Sequence, residues 1–202
     1  VLFRSNHVGA QTELIFDGGS LAMNVDGQIA GDVPYFREAL NLYSFEGKQI
    51  HAVGENTAGL EKSDDARIGR IHEALILGIR DYFQKQGFSK AILGLSGGID
   101  SAVVACLAAE ALGSQNVKVL LMPSEFSSRG SVDDSVALVD RLGITSEVIP
   151  IREVFQTYLK TLAPAFQNLP SGLAEENLQA RIRGTLLMAE SNKFGHRSEE
   201  HT

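Results

Sequence analysis

Residues 93–112 read LGLSGGIDSAVVACLAAEAL. A short apolar run, Ala91 to Leu95, stops at Ser96. Two glycines, Gly97 and Gly98, precede Ile99, Asp100 and Ser101, and a long stretch of small apolar residues follows. The pattern predicts strand, tight polar loop, helix. Such a loop turns free backbone N–H groups toward a ligand at a helix N-terminus, where aligned peptide dipoles favour an anion. Gly97 and Gly98 lack a Cβ, so the backbone can take unusual dihedrals and approach a ligand closely. Ser96 and Ser101 add hydroxyl donors, and the natural guest is a phosphate. The common phosphate loop ending in Gly-Lys-Ser/Thr is absent, since no lysine stands between Lys90 and Lys118.

The residues Ser96-Gly97-Gly98-Ile99-Asp100-Ser101 resemble the SGGxDS loop of the N-type ATP pyrophosphatases. That family splits ATP into AMP and pyrophosphate and activates a carboxylate or carbonyl oxygen as an adenylate. The resemblance implies that Gly94, Leu95, Ser96, Gly97, Gly98, Ile99, Asp100 and Ser101 contact ATP. Asp100 becomes the candidate ligand for Mg²⁺, a hard cation that takes oxygen donors. A helix N-cap is its competing role.

Outward from the loop, the helix Ala102–Leu112 is apolar nearly all round, which predicts burial on most sides, and Gly113 ends it. Val117–Met122 is the next strand, closed by Pro123. Strand, helix and strand form a βαβ unit with parallel strands and a right-handed crossover. Ligands of such sheets bind at the carboxyl ends of strands, which places Ser96 beside Met122-Pro123-Ser124 and makes Met122 a candidate adenosine contact. Ser131 with Asp134 reads as a capping box for a further helix. Ile144–Ile151 is a third strand, and helices follow over 152–163 and from about Ala174.

Upstream, a helix is expected from Ser63 or Asp64 to Gly87, with Ile68, Ile71, Leu75, Ile79, Tyr82 and Phe83 on its packed face. Residues 8–35 read as β structure, with Asp26-Gly27 as a type I′ hairpin turn. Residues 44–64 carry scattered polar residues and glycines and read as a linker or loose excursion, with a domain boundary near 60.

Three further stretches resemble glutamine-dependent NAD synthetases. Asn6–Ser20 is similar to the end of their nitrilase-type glutaminase domain, and Met122–Asp134 to the loop after the second strand of their synthetase domain. Ser127, Ser128 and Arg129 stay open between solvated loop residues and ligand contacts. EENLQARIRGTLLMAESNK, residues 175–193, is similar to the helix that meets deamido-NAD and ATP in that family. By spacing, Asn177 and Arg181 share one face and Gln179 and Arg183 another. The resemblance implies deamido-NAD contact for Asn177, and a phosphate or carboxylate contact for Arg181, whose planar fork suits either anion.

The implied fold is α/β: a parallel, doubly wound, Rossmann-like sheet of the adenine nucleotide alpha hydrolase type, preceded by a β-hairpin remnant of a nitrilase-like domain. The implied division is 1–60 for that remnant and linker, 61–195 for the first part of the synthetase domain, and 196–202 for a foreign or disordered tail. The implied reaction converts deamido-NAD, ATP and ammonia from glutamine into NAD, AMP and pyrophosphate. The glutaminase cysteine, glutamate and lysine are expected upstream of residue 1, so none of the 202 residues is assigned that chemistry. The chain itself is expected to bind nucleotide without turnover. The alternatives are a GMP synthetase or tRNA-thiolating relative, or a nucleotide-binding module without catalysis.

Composition narrows the partners. At 44% hydrophobic and 21% charged the chain should fold, and its net charge of −7 without a basic cluster argues against nucleic acid. The single cysteine, Cys106, excludes an intrachain disulfide, fits the cytoplasm, and reads as a small buried hydrophobe. No apolar run approaches the roughly 18–20 residues that span a membrane. Small-molecule substrates and, at full length, a homo-oligomer are the expected partners.

Overall fold

The computed structural model describes residues 1–54, 64–125, 128–167 and 169–198, without the side chains of Asp64 and Arg129. The expected cap at Ser63, the contacts at Ser127 and through the Arg129 side chain, and residues 199–202 lie outside the described residues. Contacts divide the chain into two units, one up to Gln86 and one from Gly87 onward.

The first unit is built from antiparallel strands. β1 (Leu2–Arg4), β4 (Leu21–Met23) and β5 (Ile29–Asp32) form one sheet, in the order β1-β4-β5. β2 (Val8–Gln11) and β3 (Leu14–Asp17) form a hairpin, as do β6 (Leu42–Glu46) and β7 (Gln49–Val53). The β6–β7 pair corrects the reading of 44–53 as a loose excursion. Its signal was Gly47-Lys48, a two-residue loop with Gly47 at φ 59° in the place where a tight hairpin turn demands glycine. The turn between β4 and β5 is also not type I′. Gly27 has φ 86°, but Asp26 is not in the left-handed region. Gly27 N–H donates to the Asn24 carbonyl at 3.1 Å and Asn24 N–H to the Gln28 carbonyl at 2.8 Å. The Asp26 carboxylate accepts from Gln28 N–H at 3.1 Å, which favours this longer, bulged loop.

α1 (Asp64–Gln86) belongs to this unit and docks on the β2–β3 hairpin. Of the expected stripe, Ile68, Ile71 and Leu75 are exposed and Ile79, Tyr82 and Phe83 are half-buried, while Ile76, outside it, is buried. Gly78 lets the helix approach Ile15, Asp81 accepts from Ala10 N–H at 2.7 Å, and Lys85 donates to the Ala10 carbonyl. A hairpin offers a helix both an apolar side chain and unpaired backbone groups. The polar positions Asp81 and Lys85 therefore face it, which apolar periodicity alone did not mark.

The second unit is a four-stranded parallel sheet flanked by helices. In chain order it runs β8 (Ala91–Gly94), α2 (Ile99–Leu112), β9 (Val117–Leu121), α3 (Arg129–Leu142), β10 (Thr145–Val148), α4 (Arg152–Phe166), α5 (Leu173–Phe194) and β11 (Arg197–Ser198). The strand order is β10-β9-β8-β11. The chain steps twice in one direction and then reverses to the far side of β8, so the crevice lies at the carboxyl end of β8. α2 packs with α3, and α4 with α5. Ile92, Leu120, Met122, Ile151, Phe155, Ile182 and Leu187 form the core beneath α4 and α5. No described helix is long and apolar enough to cross a membrane.

Two expectations change here. α2 buries Ala105, Ala108, Ala109 and Ala111, but Ile99, Val103, Val104 and Cys106 are exposed. A helix laid on one sheet face beside one neighbour covers only part of its circumference, and a uniformly apolar helix does not reveal which part. α3 is capped by Ser128, whose hydroxyl accepts from Ser131 N–H at 3.1 Å, so Ser131 stands inside the helix rather than at its cap. Of the residues set apart as tail, 196–198 are among those described. Arg197 and Ser198 pair in parallel with Ala91 and Ile92, and Ser198 is buried.

Candidate functional site

Leu95 N–H still donates to the Leu120 carbonyl at 2.9 Å, one residue past the end of β8. Ser96 then leaves the sheet. Gly97 turns the chain at φ 82°, and a Cβ there would lie 2.5 Å from the Ser131 carbonyl oxygen. α2 starts at Ile99 with Gly98 as its N-cap and no side-chain cap. Asp100 is therefore not the cap. It sits exposed in the first turn, where its negative charge suits the helix N-terminus.

The loop is held by its own hydroxyls. Ser96 Oγ and Ser101 Oγ are 3.1 Å apart, Ser96 N–H donates to Ser101 Oγ at 3.2 Å, and Gly98 N–H reaches Ser96 Oγ at 3.3 Å. Ser101 Oγ in turn donates to the Gly98 carbonyl at 3.0 Å. The first helical bond runs from Ala102 N–H to the Gly98 carbonyl, at 3.2 Å. The N–H groups of Ile99 to Ser101 thus have no intrahelical acceptor and are available to an anion.

Beside the loop lies a cleft of about 400 Å³. One wall is the end of β8, Gly94 to Ser96, and the next is the end of β9, Leu121 to Pro123. Ser131, Val132 and Ser135 of α3 close one side, and Ala180, Arg183, Gly184 and Leu187 of α5 the other. The two strand ends that the βαβ pattern predicts to be neighbours do face one cleft. Ile149 N–H and Ile151 N–H donate to the Leu121 and Pro123 carbonyls at 2.8 and 3.0 Å, which fixes the backbone on both sides of Met122. The Met122 carbonyl accepts instead from Arg183 Nε, at 3.2 Å.

Asn177 and Arg181 are not part of the cleft lining. Both are exposed, and Arg181 Nη1 donates to the Asn177 carbonyl at 3.3 Å, as their shared face requires. Arg183, two positions on, is the arginine of this helix that enters the cleft. It is half-buried, and burial lowers its pKa from the ordinary value, although a guanidinium stays charged. Sequence reasoning placed Arg183 on a different face from Arg181 and gave it no role. The available signal was that offset: when one arginine points to solvent, a residue 200° further round the helix points inward. Among the described residues, no group of three or more His, Cys, Asp or Glu side chains is arranged to hold a metal ion.

A sequence model of the NAD synthase family matches residues 71–197. The glutamine-dependent NAD(+) synthetase of Synechocystis sp. is 52% identical over 191 residues, which cover 95% of this chain and 34% of that protein. The glutamine-dependent NAD+ synthetase from Acinetobacter baumannii, solved in complex with adenosine diphosphate, superimposes with a TM-score of 0.90 at 40% identity, over 97% of this chain and 36% of that one. The NH3-dependent NAD synthetase from Campylobacter jejuni, solved in complex with the nitrate ion, gives a TM-score of 0.57 at 31% identity, over 64% of this chain and 54% of that one. The chain thus spans about a third of the length of the curated relatives it matches. With its SGGxDS loop opening α2, its parallel sheet, and a family match running from α1 to β11, the chain belongs to the NAD synthase family.

Proposed function

We propose that this chain carries the ATP-cleaving part of a glutamine-dependent NAD synthetase, which amidates deamido-NAD to NAD through an adenylate. The observation that carries the reading is the loop Ser96–Ser101, with open N–H groups at the mouth of a cleft walled by Met122. The relative solved with adenosine diphosphate supports a nucleotide as the guest. We take residues 1–60 as the end of a nitrilase-like glutaminase domain with its linker, and 61–195 as the first part of the synthetase domain.

The chemistry explains the loop. A carboxylate oxygen of deamido-NAD attacks the α-phosphorus of ATP. The bond to the bridging oxygen breaks, and pyrophosphate leaves with the electron pair. Ammonia then attacks the carbonyl carbon of the adenylate, AMP departs, and the surplus proton passes to solvent. The open backbone amides of Ile99 to Ser101 hold the departing pyrophosphate, joined by those of Gly97 and Gly98 and by the Ser96 and Ser101 hydroxyls as the latter exchange their bonds within the loop for bonds to phosphate. Preorganised donors of this kind contribute about 3–4 kcal/mol each to lowering a barrier. Asp100 would hold Mg²⁺. A single exposed carboxylate beside a phosphate site fits a cation that takes one or two carboxylates plus phosphate oxygens and keeps its remaining waters. Bound there, the ion supplies counter-charge to the polyphosphate. Asn177 and Arg181, exposed on α5, are assigned to deamido-NAD and to an anionic group of the substrate. Small-molecule substrates and a single cysteine support a cytoplasmic setting, and we expect a homo-oligomer for the full-length protein.

ATP–pyrophosphate exchange tests the reading. The 202-residue chain is expected to bind ATP through the loop without sustaining turnover, and a full-length relative is expected to exchange pyrophosphate with deamido-NAD but not with xanthosine monophosphate. Exchange driven by xanthosine monophosphate overturns the assignment of substrate. Absence of any ATP binding that depends on Ser96 to Ser101 overturns the nucleotide reading itself.

A further inference from the structure

Arg183 poses a physical problem that the proposed reaction does not use. Its guanidinium is half-buried, and among the described residues no carboxylate pairs with it. A cation drawn out of water without a counter-ion is costly, so a permanent charge of this kind is expected to meet an anion that arrives with the ligand. Nε is held by the Met122 carbonyl at 3.2 Å, which fixes the plane of the fork. The remaining N–H donors belong to a side chain that lines the cleft. A planar fork with a fixed orientation suits bidentate capture of a phosphate.

We propose that Arg183 binds the α-phosphate of the nucleotide, the one nearest the adenosine. This rests on the nucleotide reading above. The loop at Ser96–Ser101 takes the pyrophosphate end, and the wall at Met122 and Pro123 takes the adenosine end. Arg183 is tied to Met122, so the phosphate it meets is the one adjoining adenosine. That phosphate is common to ATP, to the adenylate and to AMP, and it stays anionic through both half-reactions. Arg183 therefore serves as its counter-charge from substrate to product, while the loop serves only the part that leaves.

The test is calorimetric titration of the 202-residue chain with ATP, AMP and adenosine. R183Q is expected to weaken ATP and AMP alike, by about tenfold to a hundredfold, the effect of losing a hydrogen bond to a charged group. Adenosine, which has no phosphate, should keep its affinity to within about twofold, on the same accounting. R183K keeps the charge without the fork and should recover part of the loss. If adenosine weakens as much as AMP, Arg183 acts only by holding the Met122 wall, and the proposal is overturned. Unchanged AMP affinity also overturns it. Should R183Q fail to fold, R183K decides: a larger loss for AMP than for adenosine supports the proposal, and equal losses overturn it. A G97A control separates the two readings. ATP binding that ignores G97A removes the loop assignment while the AMP–adenosine comparison still judges Arg183, and a chain that binds no nucleotide at all sinks both.

Discussion

Gly97 rests on the backbone of Ser131. A Cβ added at Gly97 would lie 2.5 Å from the Ser131 carbonyl oxygen and 2.8 Å from its Cα, and φ at Gly97 is 82°. The loop that opens α2 is therefore seated on the first turn of α3. Backbone sterics and backbone dihedral exclude a side chain independently, and neither is relieved by a rotamer change.

G97A is accordingly expected to lower stability by about 2 kcal/mol or more, the scale of a left-handed residue compounded by a backbone clash. ATP affinity should fall with it. G98A is the contrasting case, because Gly98 has φ −86° and its added Cβ would meet only the Ser96 hydroxyl, at 3.3 Å. Denaturant midpoints of the two variants check this, and equal losses would count against the Ser131 contact as the reason.

Removing the α3 cap with S128A should cost about 1 kcal/mol, the usual value of a serine N-cap. Ser128 Oγ accepts from Ser131 N–H, so the change frees the same turn on which Gly97 rests. A thermal melt reads the loss. A shift toward higher Tm would mean that the hydroxyl is not capping.

Lys118 ties three elements together. Its ammonium lies 2.6 Å from Glu147 Oε2 and 2.8 Å from Glu190 Oε2, and 5.3 Å above the ring of Phe194. Burial by itself would lower the Lys118 pKa, but the two carboxylates outweigh it and the pKa is raised. K118M leaves Glu190, whose side chain is 19% exposed, without its partner. The expected loss is about 2 kcal/mol, below the range for fully buried pairs. K118M/E190Q should regain more than half of it. A double mutant no more stable than K118M would show that the unpaired carboxylate is not the cause.

His196 predicts an acid limb of stability. Burial, and then Lys90 and Lys118, lower its pKa from 6.5, with Glu190 opposing. Its Nδ1 is a buried atom without a hydrogen-bond partner among the described residues. With the folded pKa below the unfolded one, the unfolded chain binds more protons between the two values, so stability rises with pH there. The contribution is complete above about pH 6.5 and is lost as pH falls through the folded value. Melts at pH 7.5 and 5.5 should show a drop that H196N reduces. An equal drop in H196N would place the titration elsewhere.

Much of the second unit was legible because its signals are local. Apolar runs ended by Gly87, Gly113 and Gly143 mark the elements, and each of these glycines has positive φ. The first unit was less legible, since the strands β6 and β7 mix polar and apolar residues on faces that the sequence does not order. Faces were misread wherever a helix gave no contrast. α2 is apolar all round, which hid the exposure of Cys106, and α1 docks through Asp81 and Lys85, which its apolar stripe did not mark.

By itself, the sequence determined the loop and the βαβ unit around it. A positive φ, a missing Cβ and a helix start are properties of neighbouring residues. The tertiary structure alone decided what that loop rests on and what faces it. Gly97 meets Ser131, and Arg183 rather than Arg181 enters the cleft to hold a carbonyl 61 residues away. Those pairings depend on how α3 and α5 lie against the sheet. Packing fixes that, and no spacing along the chain encodes it.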